Sequence, residues 1–275
     1  MRVTIVGAGN LGGAVAAGLV RTGTVTPADL HCVTRTVEGA ARLHARPGLA
    51  DVTVTHDPAA AVAGADVVML GVKPYATLEL LTTLAPHLAP GATVVSLAAG
   101  VPLADLTAAA ADGPADLALV RLMTNTPVQV GAAVSLIAAA PGTPADRLAT
   151  VVALADAFGT SHLVDETRFD AATALAGSGP AYVFLLVEAL RDAAVTLGID
   201  ADDALAMARG MVDGAARLLV AADDDPAALR RAVTSPGGMT EAAVDVFEDA
   251  GLRATVTAAL TAAVARAAEL ADPPA

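Results

Sequence analysis

The chain has 275 residues, a net charge of −13 and a pI near 4.6. That length allows one large or two ordinary domains. The acidity argues against nucleic acid and anionic membranes as partners, since both recruit basic patches. The lone cysteine, Cys32, cannot form an internal disulfide and fits a reducing cytoplasm. Five histidines, at 31, 44, 56, 87 and 162, are too scattered for a His/Cys metal site, so no metal is expected. Mean hydropathy is +0.61, but aromatics are only 2% and alanine carries much of the apolar count. No apolar run of about 20 residues stands out as a membrane span. Met1 to Val20 mimics a signal peptide, yet its glycine spacing reads as strand, turn and helix.

In chain order, Val3 to Val6 reads as a buried strand and Leu11 to Arg21 as a helix followed by Gly23. Strands are expected at Leu30 to Thr34, Val52 to Thr55, Val67 to Val72, Thr93 to Leu97, Leu117 to Met123 and Val134 to Ala138. Helical stretches at Ala40 to Arg46, Pro58 to Val62, Ala76 to Leu88 and Leu103 to Ala110 alternate with them. That alternation is the pattern of an α/β doubly wound sheet. From about residue 144 the strand signal stops. Helices are expected at Asp146 to Phe158, Pro180 to Leu197, Ala201 to Ala222, Pro226 to Val233, Met239 to Asp249 and Leu252 to Ala271. The expected division is a sheet domain of residues 1–162 and an all-helical domain of residues 163–275. Apolar residues cover a wide arc of the last long helices, which predicts at least a dimer formed through the helical half.

The first turn carries chemistry. Gly7, Ala8, Gly9, Asn10, Leu11 and Gly12 form a G-x-G-x-x-G loop between a strand and a helix, the context that marks dinucleotide binding. The first glycine makes the turn, the second admits a pyrophosphate to the backbone, and the third packs helix on strand. At the end of the second strand, Thr34, Arg35 and Thr36 stand where an NAD site usually places a carboxylate. An arginine and two hydroxyls suit a 2′-phosphate and favour NADP. Val72, Lys73 and Pro74 follow the apolar fourth strand, and Lys73 is the only lysine in the chain. The loops holding Ala98 and Asn125 follow later strands and are expected along the same crevice.

The helical half holds two neutral, glycine-rich, hydroxyl-bearing segments, Ala176 to Tyr182 and Thr234 to Glu241. The second reads either as a helix–helix connector or as a backbone-amide site for an anion. Glu188 and Asp192, four apart, can face a Mg²⁺ ion or form a solvated helix face. Ser178 lacks the frame of a nucleophile elbow.

Together these pieces resemble pyrroline-5-carboxylate reductase. The resemblance rests on Gly7 to Gly12, Gly71-Val-Lys-Pro74, Ser96 to Gly100, Asn125-Thr-Pro127, Thr173 to Tyr182 and Val233 to Thr240, and runs from residue 1 to about 270. It implies a Rossmann-like domain, a helical domain that dimerises by intertwining, and reduction of 1-pyrroline-5-carboxylate to proline with NADPH or NADH. It implies that Ser235, Gly237, Gly238 and Met239 hold the substrate carboxylate. Thr240 would bond the ring nitrogen, and Ser178 would help to close the pocket. Thr124, Ala176 and Met239 depart from the family's usual residues. A β-hydroxyacid dehydrogenase has similar architecture, but that family uses a lysine in its helical domain, and none follows Lys73 here. A non-catalytic dinucleotide-binding relative is the other alternative.

Overall fold

The computed structural model describes residues 1–222 and 224–271. Its strands are β1 (Val3–Val6), β2 (Leu30–Val33), β3 (Thr53–Thr55), β4 (Val67–Leu70), β5 (Thr93–Ser96), β6 (Ala118–Met123), β7 (Ala133–Ala139) and β8 (Gly159–Leu163). They form one sheet in the order β3-β2-β1-β4-β5-β6-β7-β8. Every pairing is parallel except β6 with β7. Helices α1 (Asn10–Arg21), α2 (Val37–His44), α3 (Pro58–Val62), α4 (Pro74–Leu84), α5 (Leu103–Ala109), α6 (Ala145–Asp156) and α7 (Phe169–Ala172) accompany it. The later helices are α8 (Gly179–Thr196), α9 (Ala201–Ala221), α10 (Pro226–Ala232), α11 (Met239–Asp249) and α12 (Leu252–Ala271).

Strand side chains alternate between two cores, as a pleated strand requires. Val3, Ile5, Val67, Met69, Val120 and Leu122 pack on one face with α1, α6 and Phe158. Val6, Val68, Leu70, Val94 and Leu119 pack on the other with residues of α3, α4 and α5. Both faces are covered, so the central strands read as unbroken apolar runs. The thiol of Cys32 lies in the first core, and burial pushes its pKa up to about 12.

One strand was not expected. Gly159–Leu163 forms β8 at the sheet edge, beside β7. Its sequence, Gly-Thr-Ser-His-Leu, has one large apolar residue and is largely exposed, so it carries no hydrophobic pattern. Pairing with β7 supplies what the side chains do not.

Arg121 sits inside β6, only 4% exposed. Its Nη1 donates to Glu166 Oε1 at 3.1 Å, its Nη2 faces Asp170 at 3.6 Å, and its guanidinium lies 4.2 Å from the Phe169 ring centroid. Glu166 Oε1 also accepts the Leu103 N–H at 2.6 Å. One buried cation thus ties β6, the start of α5 and the segment leading into α7.

The chain divides into two compact units, Met1–Ser178 with the chain from Ala263 onward, and Gly179–Ala262. In the second, α8 packs on α9. Asp200 caps α9 by accepting the Asp202 N–H at 2.9 Å, and Asp225 caps α10 through the Ala227 N–H at 2.8 Å. Few of its side chains are buried: α8, α10 and α11 have none, and α9 has Ala204 and Ala208. Phe184, Leu185, Met211 and Leu218 are exposed. The helical run Glu166–Thr196 is long and apolar enough to cross a membrane, by length and composition alone. That corrects the expectation of no such run, which overlooked that helix continues through the glycines at 177 and 179.

Removing the buried cation should loosen the first unit. Arg121→Ala leaves Glu166 with the Leu103 N–H but no cation, and is expected to lower stability by about 2 kcal/mol. The measurement is urea unfolding of the full chain. An unchanged midpoint would show that the network contributes nothing.

Candidate active site

The carboxyl ends of β1 and β4 lie side by side where the strand order reverses, the place at which open α/β sheets bind ligands. The loop after β1 turns at Gly7, whose φ of +95° is open to glycine. The N–H groups of Gly7 and Ala8 both donate to the Val33 carbonyl, at 3.1 and 3.0 Å, and the Gly9 N–H returns to Gly7 O at 2.8 Å. The Gly13 N–H makes the first bond of α1, to Gly9 O. The N–H groups of Asn10, Leu11 and Gly12 thus begin the helix with no acceptor inside it. No side chain caps α1, and its first turn holds no acid. A Cβ added at Gly9 would meet no atom within 4 Å, whereas at Gly12 it would lie 2.6 Å from Gly7 O. Open space over Gly9, three unclaimed donors and a bare helix terminus fit a pyrophosphate.

Around β2 the three expected phosphate contacts differ in availability. Thr34 is buried and its hydroxyl donates to the Thr36 carbonyl at 3.2 Å, while His56 Nδ1–H donates to the Thr34 carbonyl at 2.8 Å. Thr36 caps α2 by accepting the Gly39 N–H at 3.1 Å. Arg35 is exposed, and no ion pair engages it among the described residues. Glu38, which sequence reasoning passed over, shares the first turn of α2. A hydrogen bond from its own backbone N–H, and next one from the Thr36 hydroxyl, hold its carboxyl below the usual carboxylate range.

Lys73 and Pro74 open α4, with Lys73 exposed at the N-cap and Val72 against the turn at Gly7. Ala98 is buried in the second core. Asn125 is buried as well, and its amide is committed at both ends. Nδ2 donates to the Ala176 carbonyl at 2.9 Å and Oδ1 accepts the Val134 N–H at 3.1 Å. The amide thus braces backbone on both sides of the loop after β6. Thr124, the departure beside it, accepts from the Ser135 hydroxyl at 3.1 Å inside the protein.

The segment expected as a first glycine-rich loop is helical. Thr173–Gly177 forms one π-turn, closed by the Ser178 N–H on the Thr173 carbonyl at 3.2 Å, and α8 begins at Gly179. Ser178 is exposed at that junction. A Cβ at Gly177 would lie 2.8 Å from Met123 Sδ, so a larger residue there would have to move the methionine at the end of β6. π-Turns inside helices are frequent at functional sites.

The second segment is a true loop between α10 and α11. Gly237 takes φ +71°, and the Gly238 N–H donates to Ser235 O at 3.0 Å. A Cβ at Gly238 would lie 2.5 Å from Ser235 Oγ. The Gly237 N–H donates to Glu241 Oε2 at 2.6 Å. Two of the amides expected to meet a substrate carboxylate are therefore already bonded within the loop. The first N–H groups of α11, from Met239 and Thr240, have no intrahelical acceptor. The side chains of Met239 and Thr240 are exposed, as is Ser235.

Comparison with known proteins agrees with this layout. Residues 166–270 match the family model described as pyrroline-5-carboxylate reductase dimerisation, and residues 2–100 match one described as NADP oxidoreductase, coenzyme F420-dependent. The pyrroline-5-carboxylate reductase of Pseudomonas aeruginosa is 39% identical over 272 residues, covering 98% of this chain and 97% of that protein. A solved pyrroline-5-carboxylate reductase from Coxiella burnetii matches with a TM-score of 0.90 and 33% identity over 98% of each chain. A structure from Plasmodium falciparum, solved with NADP bound, shares the fold with a TM-score of 0.86 and 22% identity over 99% of this chain and 98% of its own. A dinucleotide-ready turn, a helical part that matches a dimerisation model and near-complete coverage of the relatives converge on one conclusion: the chain belongs to the pyrroline-5-carboxylate reductase family.

Proposed function

We propose that this chain reduces 1-pyrroline-5-carboxylate to L-proline, the last step of proline biosynthesis, with NADPH as donor and NADH as the alternative. Kinship over 98% of the chain with a named reductase carries the reading. The bound dinucleotide supplies the hydride. The loop from Gly7 to Gly12, with Ala8, Asn10 and Leu11, is our choice for the pyrophosphate. Val72, Lys73, Pro74 and Ala98 extend that choice along the strand ends. Asn125, with its amide bonded to backbone, has a positioning part.

Arg35 is our choice for the 2′-phosphate, because among the described residues it is the exposed arginine at the end of β2. Glu38 supports the second donor: an ionised carboxylate in that turn suits the free ribose hydroxyls of NADH.

On the substrate side, the first N–H groups of α11 and the Ser235 hydroxyl hold the carboxylate. Fixing that group orients the ring, and orientation can supply much of the acceleration. The Thr240 hydroxyl accepts a hydrogen bond from the protonated ring nitrogen. No nucleophile or metal enters this scheme. Ser178 stays a candidate for closing the pocket.

The exposed apolar faces of α8 and α9 support a homodimer through the helical part, as does an apolar cavity of about 480 Å³ between α10, α11 and α12 lined by Val244, Phe247, Leu252 and Val256. Further association of dimers fits the same surfaces. The apolar run Glu166–Thr196 lies within the residues matched to the dimerisation model, so a protein partner rather than lipid is our reading of it. The lone cysteine supports a cytoplasmic location.

Oxidation of NADPH in the presence of 1-pyrroline-5-carboxylate tests the activity, and tight NADPH binding with no turnover on either donor would refute it. Thr240→Ala is expected to lower kcat/KM on the order of tenfold to a hundredfold, from one lost charge-assisted bond. Full retained activity would remove Thr240 from the scheme. Arg35→Ala should weaken NADPH about tenfold while sparing NADH. Equal losses for both donors would dismiss the phosphate role. Gly9→Ala should fold normally and bind NADPH poorly, since its methyl enters only the open space over the loop. Gly12→Ala should cost roughly 1–3 kcal/mol of stability, because its methyl meets backbone. Thermal melts and NADPH titration of the two variants separate these outcomes.

A further inference from the structure

The loop between α10 and α11 already holds a carboxylate. Glu241 Oε2 accepts the Gly237 N–H at 2.6 Å, a short charge-assisted bond at the amino end of an 11-residue helix. Gly237 reaches that position through a left-handed φ of +71°, and the neighbouring Gly238 N–H is spent on Ser235 O. The Thr234 N–H is spent too, on Arg231 O at 3.1 Å, and Pro236 has none. Gly237 therefore presents the loop's one amide that is engaged by a side chain instead of by backbone.

That bond differs in kind from its neighbours. A backbone–backbone bond is part of the turn and opens only if the turn does. A bond to a half-exposed glutamate opens by side-chain rotation, which leaves the turn standing. The carboxylate that leaves can be replaced by another carboxylate that accepts from the same N–H.

We propose that Glu241 is an internal stand-in for the substrate carboxylate, and that it sets substrate affinity by competing for the Gly237 N–H. The inference rests on the reading of this loop as the carboxylate site. An incoming carboxylate displaces Glu241 from Gly237 and spans from that amide to the first N–H groups of α11. The displaced charge stays within the first turn and opposes the new one. Glu241 thus makes the site weaker than its backbone alone would be. A monocarboxylate that uses the free N–H groups of Met239 and Thr240 is tolerated, and a ligand carrying a second negative charge beside the first is disfavoured.

Steady-state kinetics of the full-length enzyme with 1-pyrroline-5-carboxylate and NADPH test this. Glu241→Gln keeps size and an acceptor oxygen but removes the charge, and Glu241→Ala removes both. Both variants are expected to lower KM for 1-pyrroline-5-carboxylate by about five- to tenfold, with kcat within about twofold and KM for NADPH unchanged. A substitution that merely disturbed the helix would raise KM and lower kcat. A KM that rises or stays level in Glu241→Gln overturns the proposal, whatever happens to Glu241→Ala. Ser235→Ala and Thr240→Ala, measured alongside, separate the two levels. If they raise KM while Glu241→Gln leaves it level, the stand-in role fails and the carboxylate site survives. If neither changes KM, the site itself is misplaced and the stand-in falls with it.

Discussion

Backbone meets backbone where β1 and β4 end. A Cβ on Gly7 would lie 2.8 Å from the Gly71 carbonyl, one on Gly71 would lie 2.9 Å from Gly7 O, and one on Gly12 would lie 2.6 Å from the same oxygen. Gly71 and Gly12 both crowd the Gly7 carbonyl and Gly7 crowds that of Gly71, so the turn after β1, the start of α1 and the turn after β4 approach more closely than any side chain would allow. The Gly71 N–H seals the contact by donating to Val6 O at 2.7 Å. The consequence is a helix terminus set directly at the strand-order reversal, with free N–H groups and open space above Gly9. A dinucleotide needs that close approach.

The far side of the sheet solves a different problem. The chain must leave β8 and enter a long helix at a defined place. Two polar side chains of the β6 region do this from inside the protein. Arg121 gathers Glu166, Asp170 and the Phe169 ring. Asn125 holds the Ala176 carbonyl, whose i+4 residue, Pro180, has no N–H to offer it. Buried polar groups of this kind are costly unless every donor finds an acceptor, and Arg121 Nε is one that finds none. Their value lies in position: they secure the π-turn to the sheet at the point from which α8 starts.

Much of the fold was legible. Seven strands and eleven helices were anticipated within a few residues, because central parallel strands buried on both faces are continuous apolar runs and alanine-rich helices carry clear stops. β8 was invisible, since an exposed edge strand of Gly-Thr-Ser-His-Leu has no pattern to read. The π-turn was also missed: Gly-Ser-Gly-Pro is a set of turn residues, yet helix runs through it. In the candidate site, the glycine spacing announced the dinucleotide turn. The hydroxyls and amides of residues 234–240 announced an anion loop, without showing which amides were already bonded.

The sequence by itself determined the first seven strands, the order of the helices between them and the chemical character of both ligand-facing segments, because periodicity, glycine spacing and charge are local properties. Only the tertiary structure decided what each polar group is free to do. Whether the Asn125 amide is open or bonded to backbone, whether Thr34 is open or buried, and whether the Gly237 N–H is vacant or held by Glu241 all depend on the partner that folding brings near. A hydrogen bond has two ends, and a residue's type states what it can offer without stating what has already accepted it.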